Sequence, residues 1–588
     1  MEKYKQVIKY EDVWADEGPY AGTIHAYTLE NGTVGYTHRF PNYINREYPE
    51  VADSDFVLSF MGSHNASVTI ARGRKILETV ELERLMNVKN IGIAQYKVPK
   101  QERIPQYMRI LRDYLERAYG VREYKFVLVQ NSDVIIDNDR LNLHQFFPSQ
   151  QYIHCLHHMS HAAGSFYQSP YKEALIFSSD GGGSDGIFHV YHAKRGEEPK
   201  FIAEYVWDLG FAYMVFGKYL GDIKYEPSLP EGNLVYSGKI MGLVSYGKVR
   251  DEWLPAFIRF YKSIPNGNDY EKWLSQLADA IGVQFDVENR LTGQVAYDIA
   301  ATSQRAFETI LIRTMRPHVD AYPGVPICFS GGCALNILAN TAIKKYFKRD
   351  VFVGPNPNDC GQALGMMLNW LRPEEPYDPT YTGPRLLDIE CLMTYIEERP
   401  YDPVPLDVPQ LAQLIARGKI MGVARGRCES GPRALGNRSI LCNPAIPEMK
   451  DILNAKVKHR EWYRPFAPVV RLEDVNKYFE WEGESRWMSF APQVREQYKS
   501  LLPSITHVDG TARVQTVTKD QNSFLYNLLT EIEKLTGYGV LLNTSFNVDG
   551  KPILSTARDA FTILENTELD GLVIENTMIV KPEKTVLV

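Results

Sequence analysis

The 588-residue chain has no CxxC pair among its seven cysteines (Cys155, Cys328, Cys333, Cys360, Cys391, Cys428 and Cys442), so neither a thiolate zinc site nor a disulfide framework is expected. It has no run approaching the roughly 18 to 20 uncharged apolar residues that span a bilayer. Its start, MEKYKQVIKYEDVWADEG, is charged where a secretory leader needs an apolar stretch. A cytoplasmic location with no membrane partner is the expectation. Positive charge is not in excess: the net charge of −7 argues against a long electrostatic track, and hence against a nucleic-acid partner, while leaving room for a local basic pocket. Walker A and dinucleotide fingerprints are missing, HHMSH lacks the glutamate of the HExxH metallopeptidase motif, and there is no internal repeat. What remains has the make-up of a folded enzyme, 44% hydrophobic and 23% charged, and it is too long for one hydrophobic core. Two large lobes are the simplest arrangement.

Residues 1–52 carry glycines and prolines among aromatics and acids without a helical period, and read as an N-terminal extension. SDFVLSFMGSHNASVTIARGRKILETVE then gives strand-length apolar runs broken at Gly62 and at the turn Arg72 to Lys75, a hairpin-like opening. Apolar residues at Met108, Leu111, Leu115 and Ala118 recur at helical spacing, so a helix is predicted over 104–118, with a strand at Phe126 to Val129. EALIFSSDGGGSDGIFHVYHA repeats the strand, glycine turn and strand of the opening, and VPICFSGGCALNILANTAIKKYF reads as strand, glycine turn, helix. This is an α/β lobe over 53–372. RPEEPYDPTYTGPR holds four prolines, which neither a helix nor a central strand tolerates, and marks a linker at 373–384. A smaller α/β domain is expected over 385–588.

Four of the 13 histidines, His154, His157, His158 and His161, fall within eight residues. His157 and His161 stand four apart, so on a helix both imidazoles leave one face and can share a cation; spacing alone also permits His154 with His158. Asp180 in SSDGGGSDG and Asp359 in PNPNDCGQALG are acids beside glycine-rich turns, and two imidazoles with carboxylates suit a divalent iron, zinc or manganese. The turns GSHNAS, SDGGGSDG and FSGGCALN each follow an apolar strand, and their amides can hold anionic oxygens. Taken together in that order they resemble the two phosphate segments and the adenosine segment of the actin-like ATPase superfamily, which nominates Gly181, Gly182, Gly331, Gly332 and Asn336 for nucleotide binding.

In the second domain ARGRCESGPRALGNRSIL brings Arg425, Arg427, Arg433 and Arg438 together with a single acid, Glu429, and downstream come KVKHREWYRPFAPVV, HVDGTARVQTV and LLNTSFNVDGKPIL. Arginine forks and glycine-exposed amides are suited to a phosphate and a planar carbamoyl group. In the ExGPRALGxRSIL, RPFAP, HVDGTARxQ and LNTSFN motifs the chain resembles the O-carbamoyltransferase family of the nodulation-factor, cephamycin and tobramycin type, from about Phe56 to Ile579. The resemblance implies a duplicated, TsaD-like actin fold for the first domain and a YrdC-like, carbamoyl-adenylate-forming fold for the second.

It implies an enzyme using ATP and carbamoyl phosphate as co-substrates to carbamoylate a hydroxyl of a small-molecule alcohol. It makes His157, His161, Asp180 and Asp359 the metal site, with iron(II) the family's usual ion and magnesium a second candidate. His64 in GSHNAS would be the base for the acceptor hydroxyl; Asn65 stands where many relatives have aspartate. Lys89, in a degraded form of the ERxxRxKHD motif, would face the carbamoyl-adenylate. Lys458, Arg464, Arg513, Asn543 and Ser545 would hold carbamoyl phosphate and the adenylate, supported by Arg433 and Arg438. The N-terminal extension and the aromatic segment DLGFAYMVFGKYLGDIKYEPSLPEG are candidates for shaping the acceptor pocket, and a homodimer is compatible with the pattern. Two other functions fit parts of the sequence: tRNA threonylcarbamoylation, and a non-enzymatic actin-like ATP-binding scaffold.

Overall fold

The structure, a computed structural model, describes residues 7–15, 22–29, 34–38, 48–92, 104–130, 143–149, 151–183, 185–225, 232–263 and 270–582. Much of the N-terminal extension, and residues 226–231 of the aromatic segment named above, lie outside the described residues. Within the extension three strands, Val7–Ala15 (β1), Gly22–Leu29 (β2) and Val34–His38 (β3), form an antiparallel sheet in the order β1-β2-β3. The sequence pattern predicts no element there.

Two compact units form: Met1–Leu82 with Asn90–Asp378, and Glu83–Lys89 with Pro379–Val588. The division at Asp378 falls in the proline-rich stretch. The short segment Glu83–Lys89 joins the second unit, and no compositional break in the sequence announces this.

The first unit repeats one sheet topology. Phe56–Met61 (β4), Ser67–Arg72 (β5), Lys75–Glu81 (β6), Phe126–Gln130 (β7) and Tyr152–Cys155 (β8) assemble in the order β6-β5-β4-β7-β8. β4 and β5 are antiparallel, whereas β4 runs parallel to β7 and β7 to β8. Glu173–Gly183 (β9), Gly186–Lys194 (β10), Lys200–Tyr205 (β11), Ile327–Ser330 (β12) and Val351–Phe352 (β13) repeat the order and the directions as β11-β10-β9-β12-β13. This is the duplicated actin-like α/β architecture.

The parallel strands β7 and β12 are buried along their whole length, as their unbroken apolar runs require. In each half the β-hairpin turn lies at the carboxyl end of the first strand, beside the carboxyl ends of the parallel strands, where open α/β sheets place their ligands. The helices His157–Gln168 and Gln362–Leu371 cross at two glycines. A Cβ on Gly365 would come within 2.1 Å of the Ser160 carbonyl oxygen, and one on Gly164 within 3.3 Å of the Gly365 Cα.

The second unit carries one eight-stranded sheet. Its strands are Val404–Pro405 (β14), Met421–Ala424 (β15), Arg438–Cys442 (β16), Ala467–Arg471 (β17), Gln515–Val517 (β18), Val540–Ser545 (β19), Gly571–Ile574 (β20) and Thr577–Val580 (β21). They run in the order β14-β21-β20-β15-β16-β19-β17-β18. The helices Val408–Ala416 and Ser523–Thr536 close its core through Leu411, Ile415, Leu525 and Leu528 against Val423, Leu441, Val469 and Leu541. Among the described residues no helix is long and apolar enough to cross a membrane.

Candidate active site

The helix His157–Gln168 begins two residues after β8, so the histidine cluster is divided between them. His154 stays on β8. His157 and His161 project from one helical face, while His158 turns away and its Nδ1 pairs with Ser178 Oγ at 2.7 Å. Asp180 stands where buried β9 gives way to exposed glycines, and Asp359 opens the turn that leads into Gln362–Leu371. His161 Nε2 lies 2.9 Å from Asp180 Oδ2 and 3.3 Å from Asp359 Oδ1; His157 Nε2 is 3.9 and 3.6 Å from the same two oxygens. One ligand atom from each of the four residues falls within 4.8 Å of all the others.

Burial alone would strip the proton from His161, but the two carboxylates outweigh it and hold the imidazolium up to about 9. Burial would raise Asp180, but the nearby His157 imidazole and the hydrogen-bonded His161 hold it well below the usual carboxylate range. The cluster is therefore a strong trap for positive charge. Two of its buried atoms, His157 Nε2 and Asp359 Oδ1, have no hydrogen-bond partner, while His157 Nδ1 faces Gln130 Oε1 at 3.3 Å. An oxygen held against one ring nitrogen leaves the other nitrogen's lone pair inward, the usual arrangement of a metal-ligating histidine. A donor set of two imidazoles and two carboxylates with unsatisfied inward atoms fits a divalent cation. His64 adjoins the same group: its Nδ1 is 3.4 Å from Asp359 Oδ2, and its side chain is 27% exposed, so it can be approached from solvent. Asn65 behind it has φ +57°, a left-handed position that asparagine tolerates better than most residues.

The glycine turns border these carboxylates. Gly332 N donates to Asp180 Oδ2 at 2.9 Å, and Gly181 N donates to Asp180 Oδ1 at 2.6 Å. Gly331, at φ +86°, passes so close to β9 that a Cβ would sit 2.0 Å from the Ser179 carbonyl oxygen. Gly181 and Gly182 are exposed, with open space around them. Asn336 is occupied within the fold. Its Oδ1 caps the helix Ile337–Phe347 through Ala339 N, and its amide group exchanges hydrogen bonds with Gln304.

Asp208 is buried next to this region and caps the helix Leu209–Val215 through Phe211 N at 2.9 Å. Burial, with a smaller contribution from Asp180, lifts its carboxyl to about 8. The folded state therefore keeps a proton that the unfolded chain loses near pH 4, so this residue's contribution to stability falls as pH rises from about 4 to 8 and is then constant. Asparagine caps equally well and does not ionise. Asp208→Asn is expected to stabilise the protein progressively from pH 5.5 to 8.5, by on the order of 2 kcal/mol at the upper end. Urea unfolding at several pH values checks it, and a pH-independent difference contradicts it.

The second unit gathers cations. Lys458 ends a π-helical turn, Leu453–Lys458, a rare element that recurs at functional sites. Its Nζ donates to the carbonyls of Ser545 at 2.6 Å and Asn547 at 2.7 Å, to Ser545 Oγ at 3.2 Å, and to Asn547 Oδ1. Burial, reinforced by Arg460, Arg464 and Lys89, pushes it well below the usual lysine range. Burial, then neighbouring cations, depresses Arg460 and Arg513 in the same way, and Arg433 to about 10. Beside Arg433, Lys458, Arg460, Arg464 and Arg513 stand the acids Glu461, 3.4 Å from Arg464 Nη1, and Asp549, 3.9 Å from it. Such a surplus of basic side chains could receive a polyanion.

Asn543 Nδ2 donates to the Ala434 carbonyl at 3.1 Å and to Gln515 Oε1 at 2.6 Å, while Gln515 Nε2 donates to the Leu435 carbonyl. These bonds pin the loops bearing Arg433 and Arg513 to each other. Arg438 shapes the loop from within, donating to the carbonyls of Arg425, Gly426 and Asn437. Glu429 Oε1, from the single acid of this motif, accepts from the amides of Leu435, Asn437 and Arg438. Lys89 lies on the segment Glu83–Lys89, within the second unit, where its field reaches Lys458; His64 belongs to the first unit. On the same segment buried Arg84 donates to the Gly431 carbonyl at 2.7 Å. Gln130 lies in none of the sequence motifs, whereas Arg460 falls within KVKHREWYRPFAPVV and Arg84 within the segment that degrades ERxxRxKHD. Gln130 does leave a trace, as the polar residue that ends the apolar run FVLVQ.

A family model described as the carbamoyltransferase N-terminus matches residues 94–368, and one described as the carbamoyltransferase C-terminus matches residues 412–581. The nodulation protein NolNO of Sinorhizobium fredii is 33% identical, across 88% of this chain and 79% of that protein. The nodulation protein NolO of Bradyrhizobium diazoefficiens is 34% identical, across 71% and 77%. Among solved structures, full-length HypF in its phosphate- and nucleotide-bound form aligns at 11% identity and a TM-score of 0.31, over 58% of this chain and 59% of that one.

Proposed function

The chain belongs to the carbamoyltransferase family and is an enzyme of carbamoyl transfer, and from that premise we propose a two-site reaction that ends in a carbamate ester of a small-molecule alcohol. Family membership favours this over tRNA threonylcarbamoylation or an ATP-binding scaffold. In the second unit, which we read as YrdC-like, water cleaves carbamoyl phosphate to carbamate and phosphate. A carbamate oxygen then attacks the α-phosphorus of ATP and expels pyrophosphate, leaving carbamoyl-adenylate. The observation that supports this half is the surplus of cations at Arg433, Lys458, Arg460, Arg464 and Arg513, which matches the charge of these substrates.

In the first unit the acceptor oxygen attacks the carbamoyl carbon, the bond to AMP breaks, and the hydroxyl proton passes to His64. Asp359 Oδ2 at 3.4 Å and Asn65 Nδ2 at 3.2 Å from His64 Nδ1 orient that ring. His157, His161, Asp180 and Asp359 would hold a divalent cation, for which we favour iron(II); when bound it would offset charge developing on the carbamoyl and phosphate oxygens. The exposed turn at Gly181 and Gly182 would border the nucleotide phosphate, while the amides of Gly181 and Gly332 serve Asp180 and that of Gly331 serves the Pro357 carbonyl, so those three act by shaping the turn.

Incubation with labelled carbamoyl phosphate, ATP and a panel of alcohols tests the whole. The expected products are AMP, pyrophosphate and a labelled carbamate; ADP, or label on tRNA, contradicts it. His64→Ala is expected to slow transfer from supplied carbamoyl-adenylate by about 10² to 10⁴, with pyrophosphate release unchanged. Full transfer activity in that variant removes His64 from the mechanism.

A further inference from the structure

The turn that joins β9 to β10 grips the metal-bearing helix at two points besides Asp180. Asp185, 8% exposed, places both carboxylate oxygens on the backbone amide of His158, at 3.1 and 3.2 Å. Leu156, at the cap position of that helix, offers no side-chain hydrogen bond, so this first-turn amide is served from the β9–β10 turn. Gly183 lies against His157: a Cβ there would meet ring atoms Cδ2 and Cγ at 2.5 and 2.6 Å and the His157 Cβ at 2.9 Å. Gly183 does not have the left-handed backbone that favours glycine, so it is the imidazole, and not the chain conformation, that excludes a side chain. One contact fixes the helix's first turn, and the other fixes the plane of a ligand ring.

We infer that Asp185 and Gly183 are positioning residues that set metal affinity, Asp185 by holding the first turn of His157–Gln168 and Gly183 by seating the His157 ring. Neither reaches the metal, and the inference rests on the metal-site reading above. Partners of this kind are worth about 10- to 100-fold in affinity at other metal sites. Asp185 anchors the amide between the two ligands, so its loss frees both histidines to drift from the carboxylates. An added methyl at Gly183 displaces the His157 ring without removing any ligand residue or changing any charge.

The test is titration of the full-length chain with Co²⁺, read by visible ligand-field absorption and by competition with a chelator. Wild type is expected to bind and His161→Ala to lose binding. Asp185→Ala should weaken affinity about 10- to 100-fold and alter the absorption envelope. Asp185→Asn, which keeps an accepting oxygen, should recover most of the affinity and the wild-type spectrum. Gly183→Ala should also weaken binding by about tenfold or more. Wild-type affinity and spectrum in both Asp185→Ala and Gly183→Ala overturn this inference while leaving the metal site standing. Absence of binding by wild type overturns the metal site and this inference with it. Should Asp185→Ala fail to fold, Gly183→Ala and Asp185→Asn decide between these outcomes.

Discussion

Asp359→Ala is expected to lower carbamoyl transfer by about 10⁴-fold or more, equivalent to about 5.5 kcal/mol of transition-state stabilisation, while pyrophosphate release in the second unit continues. The size follows from two roles in one carboxylate. Oδ1 faces the inward nitrogens of His157 and His161 and has no other partner, and Oδ2 faces His64. On the proposed mechanism its removal takes a ligand from the metal site and the orienting group from the base. Lewis-acid assistance is worth several kcal/mol, and positioned general-base help about 10² to 10⁴. Because both effects pass through Asp359, the double variant with His64→Ala should be scarcely slower than Asp359→Ala alone. Asp359→Asn keeps the volume and removes the charge, so it separates electrostatics from packing. AMP release from supplied carbamoyl-adenylate gives the readout, and transfer within tenfold of wild type in Asp359→Ala sinks the shared role.

Much of this constellation is legible in the sequence because local rules place it. Spacing of four residues on a helix puts His157 and His161 on one face, and a glycine run after an apolar strand puts Asp180 at a sheet's carboxyl edge. The two hairpins, the helix at Ile104–Tyr119 and β7 likewise follow from short-range periodicity. Long-range pairing leaves no such trace. His154 and His158 have the same spacing as the ligand pair, yet His154 remains on a strand and His158 finds Ser178, a choice made by where the helix starts. Arg438 and Asn336 look like ligand contacts from their motifs and instead satisfy backbone carbonyls and a helix cap, because a tight polar loop must first meet its own hydrogen-bonding demands. The transfer of Glu83–Lys89 to the second unit is a tertiary event to which seven residues of composition are blind.

Arg513→Ala should separate the two half-reactions in the opposite sense, with pyrophosphate release falling by about 10³-fold or more and transfer from supplied carbamoyl-adenylate unaffected. Arg513 Nε is buried without a hydrogen-bond partner, and burial with Arg433 and Arg464 nearby holds the guanidinium well below its usual range. A cation kept dry among cations is unfavourable in the free protein, and a bound phosphate reverses the sign of that interaction. The same substitution should therefore raise the unfolding free energy of the ligand-free protein, by about 1 kcal/mol or more, while it removes the first reaction. Ligand should restore the order: carbamoyl phosphate or ATP ought to raise the melting temperature of wild type more than that of Arg513→Ala, because only wild type gains the neutralised guanidinium. Arg438→Ala provides the contrast. Its guanidinium holds three loop carbonyls, so its loss should destabilise the protein with or without ligand. Thermal melts of the two variants, with and without carbamoyl phosphate, then distinguish an arginine kept for substrate from one kept for the fold. A destabilised Arg513→Ala that retains pyrophosphate release would refute the assignment of Arg513 to the anion.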